Sequence, residues 1–303
     1  MKIVFMGTPD FAEKALRRLY EDGHEIVAVF TQPDKPRNRG MKVSFSPVKI
    51  LATEHGTPIY QPISLRTDES IDLIRGLTFD LLVVVAYGKI LPKSIIDIPP
   101  LGCVNIHGSV LPKYRGPAPI QWAIINGETK SGVTSQFMNE KIDSGDIILT
   151  KELEINDDET AGELYERLSV LGAELLSDTV KVIASGNYPR IPQDDSLATH
   201  VPLITKDLLP ISWDESAHRI RNKVRGLAPK PAATANFDGL TVKVFRVEIG
   251  ESTAPAQFSP GEIVSKGKQG IEIACADGTV IIKELQAPGG KRMSAADFLR
   301  GRA

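Results

Sequence analysis

Asn105 and His107 stand two positions apart in the run Cys103-Val104-Asn105-Ile106-His107-Gly108-Ser109-Val110-Leu111-Pro112-Lys113-Tyr114-Arg115-Gly116. The run begins as a strand, and strand side chains two apart share a face. A carboxamide and an imidazole therefore project together, while Val104 and Ile106 turn to apolar surroundings. A polar, Gly/Pro-rich loop follows at once, so the pair sits where a strand runs out, the place where open α/β sheets bind ligands. Further on, in Ile142-Asp143-Ser144-Gly145-Asp146, Asp143 is the natural carboxylate to orient His107 and balance its charge. Such groups donate hydrogen bonds to a developing oxyanion and handle a proton. Singly, each has a plainer reading: Asn a turn former, His a packed ring, Asp-Ser-Gly a turn. Ser109 as a nucleophile is a weaker rival, because the Gly-x-Ser-x-Gly elbow is missing.

Together the pieces are specific. Asn105-x-His107, then Ser109-Val110-Leu111-Pro112-Lys113-Tyr114-Arg115-Gly116, then Gly132-Val133-Thr134 leading into residues 142–146, resemble the 10-formyltetrahydrofolate-dependent formyltransferases. Within them the whole chain is most similar to the methionyl-tRNA formyltransferases. The resemblance implies an amine attacking a formamide-type carbon, with Asn105, His107 and Asp143 catalytic and no metal. Asn105 and a protonated His107 would donate to the oxyanion, and Asp143 would pass the amine proton through a water. The donor co-substrate would be 10-formyltetrahydrofolate. Ser109, Val110, Leu111 and Pro112 match the tetrahydrofolate-binding segment, with Val110 where the family more often has Leu. The turn holding Lys89, Ile90 and Leu91 matches a wall of the pteridine pocket. The acceptor would be the α-amine of methionyl-initiator tRNA, formylated for translation initiation. The catalytic motif alone leaves open a formyltransferase acting on a small amine, such as an amino sugar or glycinamide ribonucleotide. A non-catalytic RNA-binding protein is a third class.

The elements that must position these groups read as an α/β protein. Residues 3–6, a Gly7-Thr8-Pro9 turn, a helix capped by Thr8 and a strand at 24–30 open a Rossmann-like, doubly wound, mostly parallel sheet. The turn is not Gly-x-Gly-x-x-Gly, and Pro9 removes an amide that would face a pyrophosphate, which argues against a dinucleotide there. Residues 80–86 are almost wholly apolar, as in a central parallel strand. Residues 160–184 form the longest helix, with Leu164, Leu168, Leu171 and Leu175 as its core stripe. Residues 31–47 read as a long, unstructured, cationic loop holding Lys35, Arg37, Arg39 and Lys42. By the resemblance this loop approaches the tRNA acceptor end, Arg39 being the functional arginine.

The expected domains are a catalytic one at 1–186, a Pro-rich linker at 187–208, and a smaller one at 209–303. In the last, residues 215–225 make a basic helix with Arg219, Arg221 and Lys223. Short strands then follow at 241–248, 261–265, 271–274 and 279–285, with turn pairs between them, the pattern of a small barrel. The resembled family carries an OB-like tRNA-binding domain here. Net charge is −2 overall, but residues 206–303 hold 15 Lys/Arg against 11 Asp/Glu. That asymmetry hints at a polyanion partner, and Arg219, Arg221 and Lys223 would meet phosphates of the stem. Cys103 and Cys275 have neither disulfide-framework nor metal-ligand spacing and read as buried hydrophobes. No signal, transit or membrane-spanning pattern appears. The reading is a cytoplasmic protein, expected to be a monomer.

Overall fold

Strands buried on both faces need apolar side chains throughout, and the chain supplies them at 3–6 and 81–85. The computed structural model describes residues 1–37, 42–237, 239–251 and 258–301. In order, its first elements are β1 (Lys2–Gly7), α1 (Asp10–Glu21), β2 (Glu25–Phe30), β3 (Lys35–Arg37), β4 (Lys42–Ser44), α2 (Pro47–Glu54), β5 (Ile59–Tyr60) and α3 (Asp68–Arg75). There follow β6 (Leu81–Val85), α4 (Lys93–Ile96), β7 (Cys103–His107), α5 (Pro119–Ile125), β8 (Lys130–Phe137), β9 (Ile147–Glu154) and α6 (Ala161–Ala184). The remainder is α7 (Ala217–Leu227), β10 (Ala233–Phe237), β11 (Leu240–Ile249), β12 (Ile263–Gly267), β13 (Gly270–Cys275), β14 (Gly278–Gln286), β15 (Met293–Ser294) and α8 (Ala295–Arg300).

The large sheet has seven strands in the order β5-β2-β1-β6-β7-β8-β9. Pairing is parallel from β5 through β7 and turns antiparallel between β7 and β8. The chain winds outward from β1 to β2 and β5, then crosses back to β6, so the order reverses beside β1 and opens a crevice at the strand ends. Gly7 ends β1, and a Cβ there would lie 2.6 Å from Ala12 Cβ and 2.9 Å from the Val85 carbonyl. Only glycine lets the chain turn this close to β6.

Two sequence expectations are corrected. Thr8 does not cap α1: the N-cap is Pro9, without a side-chain bond. The Thr8 hydroxyl instead donates to the Tyr87 carbonyl at 3.3 Å and accepts from the Gln32 amide at 3.3 Å, tying the ends of β1, β2 and β6 together. Residues 31–47 are not structureless, because β3 and β4 form a short antiparallel ladder from Lys35↔Ser44 to Arg37↔Lys42. Ser46 then caps α2 by accepting from Lys49 N–H at 3.1 Å. Arg39 lies outside the described residues.

The leucine stripe of α6 is largely core: Leu164, Leu168 and Leu175 are fully buried, and Leu171 is half-buried. A reciprocal cap starts the helix, Thr160 Oγ1 accepting from Glu163 N–H at 3.3 Å and Glu163 accepting from Thr160 N–H at 2.9 Å.

The chain divides into two compact units. One comprises 1–116, 132–153 and 165–200; the other comprises 117–131, 154–164 and 201–303. The segment read as a linker is thus shared between them, up to His200 in the first and from Val201 in the second.

The second unit holds an antiparallel sheet ordered β10-β11-β14-β13-β12, with β15 on β14. Ile220, Val224 and Leu227 of α7 and Phe298 of α8 share a core with Val242, Val244, Ile271, Ile282 and Leu285. Strand β10 and helix α8 were not expected: Ala233-Thr234-Ala235-Asn236-Phe237 is too poor in bulky β-formers to stand out, and α8 is only six residues. Among the described residues, no helix is long and apolar enough to cross a membrane.

Within this unit Arg221 pairs with Asp157 at 2.7 Å and Asp158 at 2.8 Å. The Arg221 hydrogen bond, followed by its charge, holds the Asp157 carboxyl below the usual range against the opposing effect of burial. In the unfolded chain the group titrates at about 3.9. The pair's contribution is therefore fully present above that value and lost as pH falls through the depressed folded one. Asp157 is largely exposed, so water screens most of the effect. We predict that Asp157→Asn flattens, modestly, the acid decline of the urea midpoint measured from about pH 6 to about pH 3. An unchanged slope would mean that the pair contributes nothing.

Candidate active site

Strand β7 delivers Asn105 half-buried and His107 buried on one side, as its period requires. His107 Nε2 lies 2.9 Å from the Tyr114 carbonyl. A carbonyl only accepts, so Nε2 carries the hydrogen. That leaves Nδ1 facing Asp143 Oδ2 at 3.6 Å, a contact that is attractive when a proton lies between them. Nε2 is therefore committed to Tyr114, and the imidazole acts towards Asp143.

Asp143 is the hub of the cluster. It sits in the loop between β8 and β9 with φ of 48°, a left-handed conformation that Asp tolerates better than most residues. Its Oδ2 accepts from Gly116 N–H at 2.9 Å. Its Oδ1 accepts from Gln136 Nε2 at 3.3 Å and, more distantly, from Asn105 Nδ2 at 3.5 Å. Gln136 is opposite Asn105 in the β7–β8 ladder, so antiparallel pairing brings both carboxamides to one carboxylate. The Asp143 loop lies tight against β8, since a Cβ on Gly145 would fall 1.6 Å from the Phe137 carbonyl. Asn105, Gln136, Met138, Lys141, Asp143 and Ser144 line a shallow depression there.

The structure brings Asn105, His107 and Asp143 together as the sequence led us to expect. The neighbouring segment has a more structural character. Ser109 is buried, its hydroxyl donating to the Lys113 carbonyl at 2.6 Å. Leu111 is buried and its N–H donates to Thr134 Oγ1 at 3.1 Å, while Thr134 donates to the Ser109 carbonyl at 2.7 Å. Val110 packs by Gly132, and the Pro112 carbonyl accepts from Thr199 N–H at 3.3 Å.

Of the turn after β6, Leu91 belongs to the core and Ile90 is 63% exposed. Lys89 donates to the carbonyls of Pro62 and, at 2.8 Å, Ile63. Nearby, Tyr87 is buried with its hydroxyl unpartnered, and burial pushes the phenol up to about 12. Among the described residues no cluster of His, Cys, Asp and Glu has the arrangement to hold a metal.

The basic residues of α7 are mostly engaged inside their own unit. Arg221 holds Asp157 and Asp158, and Lys223 donates to the Pro210 carbonyl at 2.6 Å. Burial lowers the Lys223 ammonium below its ordinary value. Arg219 is 73% exposed and shares its guanidinium with Glu215. Lys35, Arg37 and Lys42 are in the β3–β4 ladder.

Sequence reasoning did not single out Gln136, whose Nε2 donates to the Asp143 carboxylate, or Gln193, whose Nε2 donates to the Asp143 and Gly145 carbonyls, and Arg115 entered only as part of the 103–116 run. Gln136 becomes visible only once the β7–β8 register is known. Gln193 falls in an irregular, Pro-flanked stretch without any periodic signal.

With this geometry in hand, the class is clear. Residues 1–180 match the Formyl transferase family, and residues 203–303 match the formyl transferase C-terminal domain. The methionyl-tRNA formyltransferase of Citrifermentans bemidjiense is 48% identical over 301 residues, 99% of this chain and 93% of that one. That of Ruminiclostridium cellulolyticum is 46% identical over 301 residues, 99% of this chain and 96% of that one. The chain belongs to the methionyl-tRNA formyltransferase family.

Solved structures share the fold. The N-formyltransferase from Helicobacter canadensis, in complex with folinic acid and dTDP-3-aminofucose, superposes with a TM-score of 0.69 at 18% identity, covering 97% of this chain and 100% of that one. The sugar 3N-formyl transferase WlaRD gives 0.70 at 21%, covering 95% and 97%. HypX from Aquifex aeolicus in complex with tetrahydrofolic acid gives 0.67 at 18%, covering 99% of this chain and 47% of that one.

The Ser109 hydroxyl is engaged by a carbonyl, which fits a structural role. We predict that Ser109→Ala lowers stability by about 1–3 kcal/mol, the usual consequence of an unpaired buried acceptor, read from urea unfolding. Formyl transfer should stay within about tenfold of the unaltered protein. A loss of several orders of magnitude would instead mark a nucleophile.

Proposed function

We propose that the protein is an enzyme that moves the formyl group of 10-formyltetrahydrofolate onto the α-amine of methionyl-initiator tRNA. The product is formylmethionyl-tRNA for translation initiation. The observation that carries this reading is the near-full-length identity to methionyl-tRNA formyltransferases in a chain whose Asn105, His107 and Asp143 converge. The folate ligands in complexes of the same fold support a folate donor.

The chemistry runs as follows. The amine lone pair forms the new C–N bond, and the carbonyl π pair moves onto oxygen. Asn105 Nδ2 carries two hydrogens, one turned towards Asp143 and the other left for that oxyanion. Collapse breaks the bond to the folate nitrogen, which leaves with the proton that the amine gives up. Asp143 relays that proton through water, and His107, fixed by Tyr114, shares its Nδ1 proton with the same carboxylate. Ile90 and the main chain of 109–112 border the donor. No step needs a metal.

The acceptor end of the tRNA is steered by the segment 31–47, with Arg39 as its functional arginine and Lys35, Arg37 and Lys42 adding positive charge. Arg219 supplies phosphate contact on α7; Arg221 and Lys223 add positive potential there while serving internal partners. The enzyme works in the cytoplasm, where initiator tRNA is charged. It works as a monomer, its catalytic cluster completed within one unit.

Single-turnover transfer from 10-formyltetrahydrofolate to charged initiator tRNA tests the reading. Asn105→Ala, His107→Ala and Asp143→Ala should each slow it by roughly 10²-fold or more. Near-wild-type transfer in Asn105→Ala and Asp143→Ala together would remove the mechanism. Faster formylation of a nucleotide-linked amino sugar than of the tRNA would remove the acceptor.

For the tRNA contacts, Arg39→Ala should depress transfer more than binding, because about an ångström of misplacement slows a reaction by about 10²-fold. Arg219→Ala should mainly weaken tRNA binding and flatten its salt dependence. Filter binding at several salt concentrations separates the two, and equal effects from both variants would contradict the division of labour.

A further inference from the structure

The segment 190–200 follows α6 and runs back over the loops that carry the catalytic cluster. At one end Ile191 exchanges both main-chain hydrogen bonds with Ile147, at 2.8 and 3.0 Å. At the other end Thr199 takes the Tyr114 amide on its hydroxyl and the Arg115 amide on its carbonyl, both at 2.8 Å.

Gln193 sits between these anchors. Its Nε2 lies 2.8 Å from the Gly145 carbonyl, 3.0 Å from the Asp143 carbonyl and 3.2 Å from Gln136 Oε1. Its Oε1 accepts two hydrogen bonds from Arg115, from Nε at 3.0 Å and from Nη2 at 2.8 Å. Arg115 is 4% exposed and completes its pairing with Asp195 at 2.8 Å.

We infer that Gln193 is a positioning residue for Asp143, holding the left-handed turn that aims the carboxylate at Asn105 and His107. A non-glycine residue at positive φ persists only where its surroundings over-determine it. Gln193 bonds the carbonyls on either side of Ser144, so one amide fixes both peptide planes of the turn. Its two hydrogens are thereby engaged, and the longer 3.2 Å approach to Gln136 Oε1 is a shared contact beside the group that donates to the Asp143 carboxylate. The buried guanidinium on Oε1 polarises the amide and strengthens its N–H donors. Through this chain of bonds, a charge eighty residues from Asp195 in sequence sets the aim of the catalytic carboxylate. The inference rests on Asp143 taking part in formyl transfer.

The test uses full-length Gln193→Ala and Gln193→Glu beside Asp143→Ala. Glutamate keeps the length and still accepts from Arg115, but it cannot donate to the two carbonyls. Each Gln193 variant should lower kcat by about 10- to 10²-fold, the scale of a small misplacement. KM for donor and tRNA should stay within about twofold of wild type. Calorimetric binding of folinic acid should be unchanged, which also reports a folded protein.

Wild-type kcat in either Gln193 variant overturns the inference, because the amide donors would then be dispensable. So does a fall in kcat matched by lost folinic acid binding, which marks general disruption; if one variant does not fold, the other decides. An Asp143→Ala enzyme with wild-type kcat would sink the catalytic reading itself, whereas an inactive Asp143→Ala beside active Gln193 variants sinks only this inference.

Discussion

A carboxylate drawn out of water must be surrounded by donors, and the arrangement around Asp143 follows from that need. Its oxygens meet the Gly116 amide, two carboxamides and an imidazole, each from a different part of the chain. The left-handed turn, the tight seat of Gly145 against β8 and the Gln193 amide are consequences of one demand: the carboxylate must point back across the end of β7.

The sheet makes this possible by changing direction. Up to β7 its strands are parallel, and each is followed by a long excursion before the next. At β8 the pairing becomes antiparallel. Residues opposite one another then come from strands running head to tail, so the end of β7 lies beside the middle of β8. Gln136 can thereby stand level with Asn105, while the loop after β8 is still near enough to bring Asp143 in.

What the sequence discloses depends on how local the physics is. The Asn105/His107 pairing is a period-2 relation inside one strand, and it is legible without any tertiary information. The apolar run at 81–85 and the stripe of α6 are legible for the same reason. Thr8 misleads because its local capping chemistry loses to a non-local partner, the Tyr87 carbonyl. Arg221 and Lys223 look like a free basic strip until Asp157, Asp158 and the Pro210 carbonyl are placed against them. Gln193 carries no local signal at all; its role exists only after Arg115, Gly145 and Asp143 have met.

The backward run of 190–200 also bears on how the protein is made. A ribosome delivers residues in order, and all strands of the large sheet have emerged once Glu154 is out. A nascent chain that ends at Ala184 can therefore assemble its sheet and lay α6 upon it. It still lacks Gln193, Asp195 and Thr199, so the Asp143 turn is unbraced and Arg115 is a buried charge without its partners. The contacts that complete this unit thus bridge from 48 to 85 residues of sequence, and such non-local contacts are slow to form. The strands are thus available early in synthesis, and the turn that aims Asp143 is braced only once residues 190–200 have emerged.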